Sequence, residues 1–136
     1  MQFKILDIHT RSTRETGILS FFESQHDIPF PIRRIYYIHG VARGMRRGFH
    51  AHKRLQQFLF CPYGRVEIML DDGRQRTAIL LDKPNKGLLL EDALWREMLW
   101  LEDNSVLCVA ASDYYDEDDY IRDYQAFLKY IKEQGK

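Results

Sequence analysis

Apolar and polar positions alternate in short runs along the first four-fifths of the chain, at residues 3–9, 17–23, 33–39, 57–61, 65–70, 75–81, 87–90, 97–100 and 106–111. Many of these runs are separated by turn-forming residues: Gly40, Pro62-Tyr63-Gly64, Asp71-Asp72-Gly73, Pro84-Asn85-Lys86-Gly87 and Asp103-Asn104. Asp72-Gly73, between Ile68-Met69-Leu70 and Thr77-Ala78-Ile79, is a strong hairpin signal. Many short strands at this spacing predict a barrel or a double-sheet jelly roll. The period then changes. Tyr120, Tyr124, Phe127, Leu128 and Ile131 fall on one helical face, which predicts an amphipathic helix over about residues 116–132. Its aromatic side chains read as core packing, and Trp95 and Trp100 as rim or core residues.

Length and charge narrow the picture. The 136 residues suit one domain with a proper core, and no repeat, low-complexity tract or linker divides them. Twenty basic residues balance twenty acidic ones, so no global field favours nucleic acid or an anionic membrane. The distribution is uneven. Residues 31–54 carry Arg33, Arg34, Arg43, Arg46, Arg47, Lys53 and Arg54 without an acid, which suggests an anion site. The acidic stretch at 113–123 reads as a helix start, where carboxylates are favourable. Cys61 and Cys108 sit in apolar strand-like runs, as reduced buried thiols do. The first residues read as neither a signal nor a transit peptide, and no apolar run approaches the ~18 residues of a membrane span. A cytoplasmic location is expected.

Candidate chemistry concentrates in Arg46-Arg47-Gly48-Phe49-His50-Ala51-His52-Lys53. On a strand, His50 and His52 share one face, about 7 Å apart, while Phe49 and Ala51 take the other. Two imidazoles so placed suit a metal, proton transfer or plain half-buried packing, and the flanking cations point to an anionic ligand. The spacing Gly44-x5-His50-x-His52-x4-Gln57-x6-Gly64 reproduces the frame of the first cupin motif. Metal-binding cupins carry Glu where this chain has Gln57, and a neutral amide is a poor ligand for a divalent cation. Residues 87–100, where a second motif would supply another His, contain none. A metal-free, cofactor-free acid/base use of the histidines is therefore expected.

Several blocks extend the resemblance: Pro29-Phe30, Arg34-Ile35-Tyr36-Tyr37-Ile38, Arg47 to Lys53, Leu70-Asp71-Asp72-Gly73, Trp95-Arg96-Glu97-Met98, and Ala111-Ser112-Asp113-Tyr114-Tyr115-Asp116-Glu117 leading to Asp119-Tyr120-Ile121-Arg122. From about residue 15 to 130 the chain resembles the cupin-type sugar-nucleotide 3,4-ketoisomerases, which act on dTDP-4-keto-6-deoxyglucose. That resemblance implies an all-β, cupin-type jelly-roll barrel with a C-terminal α-helix. It also implies a metal-free homodimer that moves a ketone from C4 to C3 of a nucleotide-linked deoxysugar, supplying 3-amino-sugar synthesis. Glu15-Thr16-Gly17 and Arg96 depart from the family pattern, which has Arg-Gly and His at those places.

The residues suit that chemistry. The C3 proton beside the C4 ketone must leave to form an enediol, and a proton must return at C4. Imidazole titrates close enough to cellular pH for both steps. One of His50 and His52 is expected to be the C3 base, with His52 favoured. Tyr37, which shares a strand face with Arg33 and Ile35, would relay a proton between the two oxygens, whereas Tyr36 points the other way. Arg47 would stabilise the enediolate or hold the diphosphate, and Arg34, Arg33 and Lys53 are further phosphate candidates. A sugar-nucleotide 3,5-epimerase, a metal-dependent cupin oxygenase and a non-catalytic sugar-nucleotide binding module are the rival functions.

Overall fold

A computed structural model describes residues 1–91 and 93–135. In chain order the strands are β1 (Phe3–Asp7), β2 (His9–Ser12), β3 (Ile18–Phe21), β4 (Arg34–Ile38), β5 (Arg46–His52), β6 (Gln57–Tyr63), β7 (Val66–Asp71), β8 (Arg76–Leu81), β9 (Lys86–Leu90), β10 (Trp95–Trp100), β11 (Val106–Ala111) and β12 (Tyr120–Ile121). One helix, α1 (Tyr124–Glu133), follows. One sheet has the order β1-β9-β6-β11-β4 and the other β12-β5-β10-β7-β8, with β2-β3 as a separate hairpin. All the strand pairs are antiparallel. This is the expected cupin-type jelly-roll barrel with a C-terminal helix.

Alternation along the strands decides what lies between the sheets. Leu59 and Cys61 of β6, Leu88 and Leu90 of β9, and Leu107 and Val109 of β11 meet Ile68 and Leu70 of β7 and Met98 and Trp100 of β10. Burying such side chains is the main term holding the two sheets together. The opposite parity faces outward: Phe58, Leu89 and Ala110 pack under Ile28 and Phe30. Ala51, Trp95 and Ile121 pack under Phe127 and Ile131 of α1. These apolar layers fill the middle and one end of the barrel, leaving polar side chains to gather at the other.

The helix begins later than its periodicity predicts. Asp123 is the N-cap, its carboxylate accepting from the Ala126 backbone N–H at 2.9 Å. Residues 117–119 instead form a short 3₁₀ turn, and Tyr120 and Ile121 pair with His52 and Ala51 of β5. The physical reason is Asp119, whose carboxylate accepts the backbone N–H groups of Arg54 and Leu55 at 2.8 and 3.3 Å. Those bonds pin the segment to β5 as an extended strand. Tyr120 therefore leaves the helical face on which the period had placed it.

Candidate active site

The polar end of the barrel is built from β4, β5, β6, β10 and β12. In β5 the regular alternation breaks. Arg47 pairs with Met98, Gly48 with Glu97 and His50 with Arg96, so Phe49 is an extra residue without a partner. Gly48 and Phe49 both carry positive φ, at 97° and 56°. This β-bulge turns the strand by one position. Arg47 and His50 consequently face the same side as Met98 and Arg96, toward the barrel interior. Glycine is required at the first position because a Cβ there would lie 2.8 Å from Met98 Sδ and 2.9 Å from the Arg96 carbonyl oxygen.

Past the bulge, His50 and His52 pack edge to face, with ring centroids 4.9 Å apart. Tyr120 closes against both, at 5.2 and 4.4 Å. Arg122 lies over the Tyr120 ring at 4.2 Å and bonds Glu117 through two nitrogens at 2.7 and 2.9 Å. That fork holds the Glu117 carboxyl down to about 2. His52 is 1% exposed, and its Nδ1 lies 3.1 Å from Asp119 Oδ2. A carboxylate accepts, so Nδ1 carries the proton and Nε2 is left as a lone pair; no group among the described residues bonds to it. His50 is half-buried.

Below the histidines runs a second network. Arg96 is 2% exposed, and among the described residues it bonds no carboxylate. It donates from Nε and Nη2 to the Leu94 carbonyl oxygen, at 3.1 and 2.9 Å, and from Nη1 to Gln57 Oε1. Gln57 Nε2 in turn donates to the Tyr36 hydroxyl at 2.9 Å. Arg34 lies over the Tyr36 ring at 5.2 Å. Burial, and then the Arg96 charge, push His50 down to about 4 and His52 down to about 2, so both are neutral imidazoles at cellular pH. Burial raises Tyr36, which therefore keeps its proton.

A cavity of about 300 Å³ opens over this layer, lined by Arg34, Tyr36, Ile38, Arg47, Gly48, His50, Met98, Tyr120 and Arg122. It combines a neutral imidazole, a protonated phenol and three arginines, which suits proton transfer on an anionic ligand. Among the described residues no group of three His, Cys, Asp or Glu side chains is arranged to hold a metal ion. The family model described as FdtA: WxcM-like, C-terminal matches residues 1–132.

The chain belongs to this FdtA-like family.

Its relatives include a TDP-4-oxo-6-deoxy-alpha-D-glucose-3,4-oxoisomerase from Aneurinibacillus thermoaerophilus, 48% identical over 115 residues, covering 85% of this chain and 83% of the relative. Among solved structures, a 3,4-ketoisomerase from Helicobacter canadensis is 42% identical, with a TM-score of 0.93 over 97% of this chain and 98% of the other. A histidine-to-asparagine mutant of QdtA, a 3,4-ketoisomerase from Thermoanaerobacterium thermosaccharolyticum in complex with TDP-4-keto-6-deoxyglucose, is 37% identical with the same TM-score, covering 97% and 95%.

The FdtA-like fold sorts the residues singled out from the sequence. His50, His52, Arg47 and Arg34 come together at the polar end of the barrel. Tyr37 does not: it is 62% exposed on the outer face of β4 beside His39, because Arg34, Tyr36 and Ile38 take the inner parity. Tyr36 stands at the site in its place. Arg33 is exposed, one position before Arg34 and on the outward parity. Lys53 lies beyond the histidines in a groove shared with α1 and does not line the His50 cavity. Of the two histidines, the favoured His52 is the enclosed one, and His50 is the one at the cavity surface. Asp119, Tyr120 and Arg122, which the sequence places in the acidic helix start and in a block of the family resemblance but not among the site residues, join the site here. Arg34 held the available clue to Tyr36, since residues two apart on a strand share a face.

Proposed function

We propose that this protein isomerises TDP-4-keto-6-deoxyglucose to the TDP-linked 3-keto-6-deoxy sugar, using its own side chains as acid and base. The observation that carries this reading is the meeting of His50, Tyr36 and Arg47 on one cavity wall, in a chain 48% identical to an oxoisomerase named for that substrate.

His50 is the base that takes the C3 proton. It is neutral and it faces the cavity, so an unprotonated ring nitrogen is available to take that proton. His52 stands behind it, fixed by Asp119, and its ring edge sets the plane of the His50 imidazole. As the C3–H electrons move into the C3=C4 bond, Tyr36 gives its proton to O4, which produces the enediol. Tyr36 then recovers a proton from O3 while the imidazolium returns one to C4, so the ketone ends at C3 and both groups are restored. Arg47, whose guanidinium faces the same cavity, stabilises the oxyanion that develops on this path. Arg34, at the rim, is the cation placed for the diphosphate.

A 3,5-epimerase also removes protons beside a C4 ketone, but it leaves the carbonyl in place. Proton NMR of TDP-4-keto-6-deoxyglucose incubated in deuterated water with the protein separates the two. New 3-keto signals with deuterium at the former ketone carbon establish the isomerase. Deuterium at C3 and C5 with the ketone still at C4 would replace it with the epimerase, and an unchanged spectrum would leave only binding.

We place the enzyme in the cytoplasm as a homodimer. No described helix is long and apolar enough to cross a membrane. The edge strand β4 exposes Ile35 and Tyr37, and the β2–β3 hairpin exposes Ile18 and Leu19, apolar groups that a second copy would cover. Light scattering that gives a monomer mass would overturn the dimer.

A further inference from the structure

Gln57 occupies the position at which the metal-binding cupin frame carries a carboxylate, and the structure gives it a different task. Its amide is held between a group that can only donate and a group that can do either. Arginine has no acceptor, so the face of the amide toward Arg96 must be the oxygen. The –NH₂ is thereby turned toward Tyr36, and the Tyr36 oxygen must accept, at 2.9 Å. A phenol oxygen that accepts on that side has to direct its own hydrogen elsewhere. No acceptor among the described residues takes it, and Tyr36 lines the cavity. Arg96 is itself held in place by two bonds to the Leu94 carbonyl oxygen, so the direction of the whole chain is set from the barrel wall.

We propose that Gln57, locked by Arg96, is a positioning residue that turns the Tyr36 hydroxyl proton into the cavity, toward the substrate oxygens. This rests on the isomerase reading above, because the proton so aimed is the one given to O4. It also gives a reason for an amide at this position. A carboxylate of the same shape would still satisfy Arg96, but it would accept the Tyr36 O–H and draw that hydrogen back into the protein. The buried cation alongside would keep that carboxylate ionised.

The test is Gln57→Glu, which preserves shape and adds an ion pair with Arg96, compared with Tyr36→Phe and with the double variant. A chelator is kept in the assay, because a carboxylate beside two histidines is a metal-ligand set. Circular dichroism and Tm establish that each variant is folded. We expect Gln57→Glu to lower kcat by roughly 10²-fold or more with KM little changed, in the range of a lost general acid. In the Tyr36→Phe background the same substitution should cost nothing further, since Gln57 acts only through the hydroxyl. A Gln57→Glu protein that turns over like wild type, or whose loss adds in full to that of Tyr36→Phe, would overturn the proposal. Wild-type protein that leaves TDP-4-keto-6-deoxyglucose unchanged would remove the isomerase reading and this inference with it. An active wild type beside an active Gln57→Glu variant removes the inference alone.

Discussion

Arg47 and His50 face the same side of β5 although three positions separate them, because the Gly48–Phe49 bulge absorbs one residue between their partners Met98 and Arg96. In an unbroken strand Arg47 would point away from both histidines. The bulge therefore assembles the site, and it depends on a glycine with φ of 97° held against Met98 and the Arg96 carbonyl. Gly48→Ala is expected to cost about 1–3 kcal/mol through crowding. It should also depress kcat by displacing Arg47 relative to His50. Thermal melts and steady-state kinetics check both, and a fully active variant would show that the bulge does not set the site.

The two adjacent tyrosines of β4 are predicted to behave oppositely. Tyr36→Phe should reduce turnover by about 10²–10⁴-fold, the range typical of a lost acid/base group. Tyr37→Phe should leave kcat and KM near wild type, since that ring is 62% exposed on the outer face. Comparable losses in both would contradict the placement of β4.

The histidines are expected to divide their work. His50→Ala should abolish deuterium exchange at C3 while keeping affinity for TDP, measured by calorimetry. Asp119→Asn should act more broadly, because the carboxylate serves His52 Nδ1 and two backbone N–H groups. A cost of about 1–3 kcal/mol in stability is expected from leaving one of these unpaired. The amide can also donate to Nδ1, which would move the His52 proton to Nε2. Loss of activity with preserved TDP binding in Asp119→Asn would match that change of tautomer.

Stability and activity should both fall on the acid side. His50 and His52 lie at about 4 and about 2 in the folded chain, below the ordinary 6.5, first because of burial and then because of Arg96. The unfolded chain takes up these protons near pH 6.5. Their contribution is thus complete above that pH and is lost as pH falls toward 4, at about 1.4 kcal/mol per pH unit for each histidine. Melting curves between pH 7 and 4 should show this slope, and His52→Phe should flatten it. For kcat/KM the acid limb should lie well below 6.5, and Arg96→Met should move it upward by removing the neighbouring cation. A limb that stays put in Arg96→Met would show that burial alone holds the histidines neutral.

The amino-acid sequence by itself determined the architecture and the chemistry class. Short alternating runs with Asp72-Gly73 at a hairpin specify antiparallel strands, because side-chain direction has a period of two. The His50-x-His52 frame, with Gln57 in place of a carboxylate, puts two imidazoles at one strand end. These signals are local, and neighbouring residues suffice to carry them. Which face of β4 looks inward was not local. It follows from pairing with β11 and from the volume left at the polar end of the barrel, and it selects Tyr36 over Tyr37. The shared face of Arg47 and His50 depends on register with β10, and a bulge has no pattern in β5 alone. The bond between His52 and Asp119 joins residues 67 positions apart. The periodicity of residues 116–132 pointed to helix throughout. It holds from Tyr124, whereas the bonds from Asp119 to the backbone of Arg54 and Leu55 keep Tyr120 and Ile121 extended as a short strand. Tertiary structure decided these points because each depends on a partner that the chain brings close only after folding.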